Sequence, residues 1–303
     1  MSQNNKPEAP VVAPRPRQRL LALAGFIPYG LGSRLLGLFF GNPLVQRFLL
    51  RAPRRQFLGL CRRADVLAKP ASQFVVHLFS RFTIPWRVGV LSHASDGEFK
   101  RWVHVDNAQL LAKLQAEGKP VLLVNCHTAI ARLTPLAVHR LGHELAVIEP
   151  EPYLRLIGAR DADKIRSITL RGQGEKFWMK ELYQAQKVLL GKGIVHLALD
   201  GHQGSGGVEH AFLGTRRLFH VSMAQLAIQL GAAIVLVRAL LDQDGRVNLH
   251  FTGPLDTGTS EQTAESRLAK FLDQYVAYLE DLWRTEPGNI SPRHLLHFMQ
   301  SAG

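Results

Sequence analysis

Three titratable side chains stand at the ends of short apolar runs. VLLVNC (121–126) leads into His127, ELAVIEP (144–150) carries Glu149 near its end, and IVHLALD (194–200) finishes on Asp200. Continuous apolar runs of this length, bounded by Gly and Pro, read as strands buried on both faces of a parallel sheet. Ligands of such sheets bind beyond the carboxyl ends of the strands, so three polar groups at neighbouring ends converge on one place. An imidazole titrates near neutrality and suits general-base work. A histidine satisfied within the core is the plainer alternative.

Lesser candidates surround these three. The run after Asp200, GHQGSGG, carries His202 at the strand end and Gly204, Gly206 and Gly207, which with Asp200 could bend a loop around a ligand, although a flexible connection accounts for it equally well. Arg216 and Arg217 follow Phe212-Leu213-Gly214 and could hold phosphates of a substrate, with a solvated surface as the alternative. Cys126 precedes His127, but successive strand side chains point to opposite faces, which argues against a thiol nucleophile. His294 and His297 are three apart without a carboxylate or Cys at a ligand spacing, so no metal is expected, and no organic cofactor is implied.

The elements that must position these groups alternate along the chain. After residue 100, VHVDNAQLLAKLQAEGKP is expected as a helix stopped by Gly118-Lys119-Pro120, followed by the strand at 121–126. ARLTPLAVHRLG, FWMKELYQAQKVLLGKG and SMAQLAIQLG read as helices, AAIVLVRALL (232–241) and VNLHFTGPL as strands joined by a turn at Asp242–Gly245. The final segment reads as a long helix capped by Ser260. The pattern predicts an α/β fold: a mostly parallel central sheet with an antiparallel edge hairpin, flanked by helices, with N-terminal membrane-associated helices.

Residues 1–17 are polar and Pro-rich and are expected as a disordered lead-in. Residues 18–65 are apolar and basic. Pro28, four glycines and Arg34 interrupt the run Leu20–Phe40, so a membrane span is not expected. Two short helices, roughly 18–27 and 31–40, would lie on a membrane surface, with Arg47, Arg51, Arg54, Arg55, Arg62 and Arg63 near lipid headgroups. Ordinary buried helices and a solvated helix face are the alternatives. Residues 66–303 would form the α/β domain. The chain of 303 residues has 37 Lys+Arg against 24 Asp+Glu, a net charge of +13, which calls for an anionic partner. Nothing in it matches a nucleic-acid-binding module, so nucleic acid is not expected. Two cysteines cannot build a disulfide framework.

Four segments together resemble the lysophospholipid acyltransferase superfamily, and most closely the lauroyl/myristoyl acyltransferases of lipid A biosynthesis. They are LLAKLQAEGKPVLLVNCHTAIARLTPLA, LLGKGIVHLALDGHQG, GGVEHAFLGTRRLFHVSMAQLAIQLGAAIVLV and TEPGNISPRHL. The resemblance spans about residues 15–300, and order and spacing carry it more than any single motif. It implies transfer of a fatty acyl group from an acyl carrier protein or coenzyme A thioester to a hydroxyl, or an amine, of a lipid acceptor. It also implies peripheral or monotopic placement at an anionic membrane surface, on the cytoplasmic face of the cell inner membrane. His127 matches the family's base. The family's carboxylate five residues on does not match, because that position holds Arg132. Family members often carry Arg-Pro at the end of the second strand, where this chain has Glu149-Pro150. Either the acid has moved, leaving Glu149 or Asp200 as the partner of His127, or the dyad is lost and the protein is a binding or altered-chemistry relative.

Overall fold

Val121–Asn125, buried at every position, forms the middle of a seven-stranded sheet. The protein is described from a computed structural model, which covers residues 27–63, 65, 70–149, 164–170, 175–200, 207–259, 261–291 and 294. In chain order the strands are β1 (Val103–Asp106), β2 (Val121–Asn125), β3 (Leu145–Glu149), β4 (Arg166–Thr169), β5 (Ile194–Ala198), β6 (Val208–Phe212), β7 (Thr215–Phe219), β8 (Ala233–Leu241) and β9 (Val247–Thr252). The large sheet runs β1-β9-β8-β2-β5-β3-β4, and β6 with β7 makes a separate hairpin. Strands β8, β2, β5, β3 and β4 are mutually parallel, and β9 returns antiparallel to β8.

The expected mostly parallel sheet and its hairpin over Asp242–Gly245 are therefore present, but the hairpin is not the edge. Strand β1 pairs parallel with β9 and extends the sheet beyond it. Its residues, Val-His-Val-Asp, were expected to open a helix; they alternate apolar and polar with the period of a strand. Asn107 then turns the chain with φ +58°, a conformation Asn tolerates, and its side chain donates to the Phe251 carbonyl at 3.0 Å. Strand β4 and the β6–β7 hairpin were not expected. The hairpin turns on Leu213-Gly214, both with positive φ, as a two-residue turn between right-twisted strands requires.

The helices are α1 (Tyr29–Gly41), α2 (Arg51–Arg63), α3 (Pro70–Phe82), α4 (Ile84–His93), α5 (Asp96–Trp102), α6 (Gln109–Ala116), α7 (Thr134–Arg140), α8 (Glu175–Leu190), α9 (Ser222–Gln229) and α10 (Ala264–Thr285). A π-helical turn, Val45–Leu49, links α1 to α2. Thr263, not Ser260, caps α10: its side chain accepts from the Ser266 amide at 3.2 Å, and Ser260 lies outside the described residues. The expected lead-in at 1–17 and helix at 18–27 also fall outside them, apart from Ile27. No described helix is long and apolar enough to cross a membrane.

Alternation along β2 divides the core in two. Val121 and Leu123 pack with residues of α1–α7, and Leu122 and Val124 pack with residues of α8, α9 and α10. Each such side chain, fully withdrawn from water, contributes about 1.5–3 kcal/mol. A polar joint fixes the N-terminal helices. Arg87, 0% exposed, donates from Nε to Thr83 Oγ1 at 2.8 Å and from Nη1 to Tyr29 Oη and Ser33 Oγ, each at 2.9 Å. Its guanidinium lies 4.4 Å over the Phe79 ring. Tyr29 donates in turn to the Gly245 carbonyl at 2.6 Å. Gly245 has φ +84°, and a Cβ there would lie 2.5 Å from Arg87 Nη1, so the joint admits only glycine.

Candidate active site

Strands β2 and β5 are parallel neighbours with Asn125 opposite Ala198. Two residues further on each chain stand His127 and Asp200, which the register brings face to face. The His127 amide donates to both Asp200 oxygens, at 2.9 and 3.1 Å, and ring Nδ1 lies 2.6 Å from Oδ1. Asn125 shapes the turn that delivers the ring. Its Oδ1 accepts from the Cys126 amide at 2.8 Å, and its Nδ2 donates to Thr134 Oγ1 at 3.0 Å at the start of α7.

The two partners differ in access: the Asp200 side chain is 4% exposed and the His127 side chain 37%. Burial pushes the Asp200 carboxyl up, but the His127 charge and hydrogen bond, the His294 charge and the His127 amide outweigh it and hold the group far below the usual carboxylate range. Asp200 is therefore ionised and accepts only. Nδ1 must carry the ring proton, which leaves the Nε2 lone pair free in the neutral ring. For His127, burial lowers the pKa most, yet the charge and hydrogen bond of Asp200 and the charge of Glu149 together raise it above its ordinary 6.5.

Glu149 ends β3, one strand further out, and burial raises its pKa against the pull of Arg132 and His127. Arg132, exposed on the 3-10 turn Ala131–Leu133, draws the Glu149 pKa down by its charge. Of the two carboxylates expected as partner of His127, Asp200 makes the contact. Arg217 donates to the Asp200 carbonyl and sits 5.2 and 5.4 Å from the centres of the Phe212 and Phe219 rings. Arg216 points outward, 3.2 Å from Glu209. His202 and Gly204 lie outside the described residues. Cys126 is 1% exposed, and burial pushes its thiol well above the ordinary range, which leaves it unreactive. Among the described residues no group of His, Cys, Asp and Glu could hold a metal ion, and His297 lies outside them.

One neighbour escaped the sequence reading. The chain after α10 crosses behind the His127 loop: Ala129 donates to the Asn289 carbonyl at 2.8 Å and Ser291 to the His127 carbonyl at 3.0 Å. His294, weighed only as a weak metal ligand, stacks on His127 with ring centres 4.0 Å apart and planes 21° apart. Nothing in its spacing from His127 announces that meeting.

At the strand ends of the parallel sheet the structure presents a histidine bound to a buried carboxylate. A family model described as bacterial lipid A biosynthesis acyltransferase matches residues 71–283, and the chain belongs to that family. The protein is an acyltransferase, with a lipid as acceptor. Among solved structures it is similar to the 1-acyl-sn-glycerophosphate acyltransferase PlsC from Thermotoga maritima, at 12% identity and a TM-score of 0.33, over 84% of this chain and 98% of that one. No curated protein sequence matches the chain.

Proposed function

We propose that the protein transfers a fatty acyl group from the thioester of an acyl carrier protein or of coenzyme A to a hydroxyl, or an amine, of a lipid acceptor, with His127 as general base. The 2.6 Å contact between Nδ1 of a partly exposed imidazole and a buried, ionised Asp200 carries this reading. Nε2 takes the acceptor's proton as its oxygen attacks the thioester carbonyl. The C–O bond forms, the C–S bond breaks, and the sulfur leaves as a thiolate that the imidazolium can protonate. Asp200 orients the ring, and Asp200 and Glu149 both favour its protonated form. Asp200, on another strand, stands where the family's acid would act, which supports a transferase over a binding-only relative. Arg217 steadies the Asp200 backbone. Arg216 is suited to donor or acceptor phosphates, and Gly204, with His202 in the same run after Asp200, to a thioester or headgroup.

The same reading places the protein at an anionic membrane, on the cytoplasmic face of the inner membrane where thioester donors are found. Leu38, Phe48 and Leu49 are 71–75% exposed on α1 and the π-helical turn, beside exposed Arg34, Arg47, Arg51, Arg54 and Arg55. With a labelled acyl donor and a crude lipid extract, His127→Ala is expected to lower transfer by about a thousandfold. Unchanged transfer would remove His127 from the mechanism. Replacing Leu38, Phe48 and Leu49 by Ser is expected to release the protein from anionic vesicles on flotation.

A further inference from the structure

The chain after α10 is held to α3 and β8 by several hydrogen bonds. The Asn289 side chain grips the end of β8 from both directions, accepting from the Leu241 amide at 2.6 Å and donating to the Leu241 carbonyl at 3.2 Å. Ser80 of α3 donates to the Gly288 carbonyl at 2.8 Å, and the Gly288 amide donates to Gln73 Oε1 at 3.0 Å. A Cβ at Gly288 would lie 2.3 Å from the Gln73 carbonyl, so the chain passes there only as glycine. Thr128 and Ile290 then pair as an isolated antiparallel bridge beside the His127 loop. The end of this strap, beyond the residues matched by the family model, carries His294. Its own ring is fixed: the backbone turns from Ser291 with a 2.9 Å bond to the His294 amide, and Ser291 Oγ meets Nδ1 at 3.0 Å. His294 is 7% exposed.

We propose that His294 is a positioning residue, whose ring covers one face of the His127 imidazole and holds it in the plane where Nδ1 meets Asp200. The terminal torsion of a histidine is broad and close to two-fold, so one hydrogen bond leaves the ring free to rock and to exchange Nδ1 with a ring carbon. A flat partner 4.0 Å away, on a segment itself locked to α3, β8 and the His127 loop, removes that freedom. Under the proposed function, the fixed plane is what directs Nε2 at the acceptor, and a misplaced base loses rate more than binding. The positioning role belongs to the ring face; the charge of His294 on Asp200 is a separate effect, which Leu and Phe remove alike.

The inference rests on His127 as base, and its test separates the two. His294→Ala, His294→Leu and His294→Phe are compared in acyl transfer, with rates per folded molecule set by thermal melts. Ala and Leu are expected to lower kcat about tenfold with KM within about twofold, and Phe, which restores a flat face, to recover most of it. Leu fills the volume, so a loss shared by Ala and Leu and rescued by Phe cannot come from a cavity. A second readout needs no activity: the low-field proton resonance of His127 Nδ1–H should broaden in Ala and Leu and stay sharp in Phe. If Phe is as slow as Leu, or the resonance is unaltered in every variant, the positioning role is overturned. If His127→Ala keeps its activity, the proposed base falls, while the resonance still decides whether His294 fixes the ring.

Discussion

Asp200 and Arg87 are both withdrawn from water, at 3% and 0% exposure, and the protein accommodates their charges in opposite ways. Arg87 is met by neutral groups, the hydroxyls of Thr83, Tyr29 and Ser33 and the face of Phe79, all of them buried. Asp200 is met by a titratable ring that reaches the surface. An ion held by fixed dipoles cannot exchange protons with anything and acts as a joint between elements. An ion held by a reachable imidazole transmits its charge to whatever the imidazole meets. Depth of burial is alike in the two; the partners differ, fixed hydroxyls and a ring face for one and a reachable imidazole for the other.

The largest effect expected from this contrast is on rate. Asp200→Asn keeps the shape but replaces the acceptor of the Nδ1 proton, and kcat for acyl transfer is expected to fall about a thousandfold. Arg87→Ala should do the reverse: about 3 kcal/mol of stability lost to denaturant, through a cavity and orphaned hydroxyls, with kcat per folded molecule within about twofold. An Arg87 variant that folded normally but was inactive would break the distinction.

A smaller effect sharpens it through pH. The rate should rise with pH through a midpoint above 6.5, since His127 must be neutral to accept a proton and its surroundings raise its pKa. In Asp200→Asn the downward push of burial loses its main opponent, so the midpoint should move down. A pH–rate profile of the two proteins checks both directions.

The smallest expected effect concerns a third buried group. His196, in the middle of β5, is 3% exposed, and neither ring nitrogen has a hydrogen-bond partner among the described residues. Burial lowers its pKa from 6.5 to about 3. The unfolded chain therefore binds a proton at higher pH than the folded one. The contribution of neutral His196 is complete above about 6.5 and is lost as pH falls toward about 3. His196→Leu should flatten the decline of melting temperature across that window.

Much of this was legible in the residues. The runs ending at Asn125, Glu149 and Ala198 announced buried strands, and the polar groups just past them announced a site. What misled was local: VHVD sits directly before a helical pattern and was absorbed into it, although its own alternation is that of a strand. The Leu213-Gly214 turn has the length of a hairpin but no Asn-Gly or Asp-Gly signal. Arg132 left open whether the acid had moved to Glu149 or Asp200 or was lost, because a pair spaced along one segment is visible in sequence and a pair shared by two strands is not.

Sequence alone determined which side chains stand at strand ends, because the period and length of apolar runs follow from burial and need no knowledge of neighbours. The order of strands in the sheet is different in kind: it depends on which crossovers pack, and no strand records its neighbour. Only tertiary structure set β5 beside β2 with β3 beyond it, and so gave His127 to Asp200 and left Glu149 acting on the ring by charge alone. It also brought His294 from a distant part of the chain onto the same ring, through hydrogen bonds that exist only once the sheet has formed.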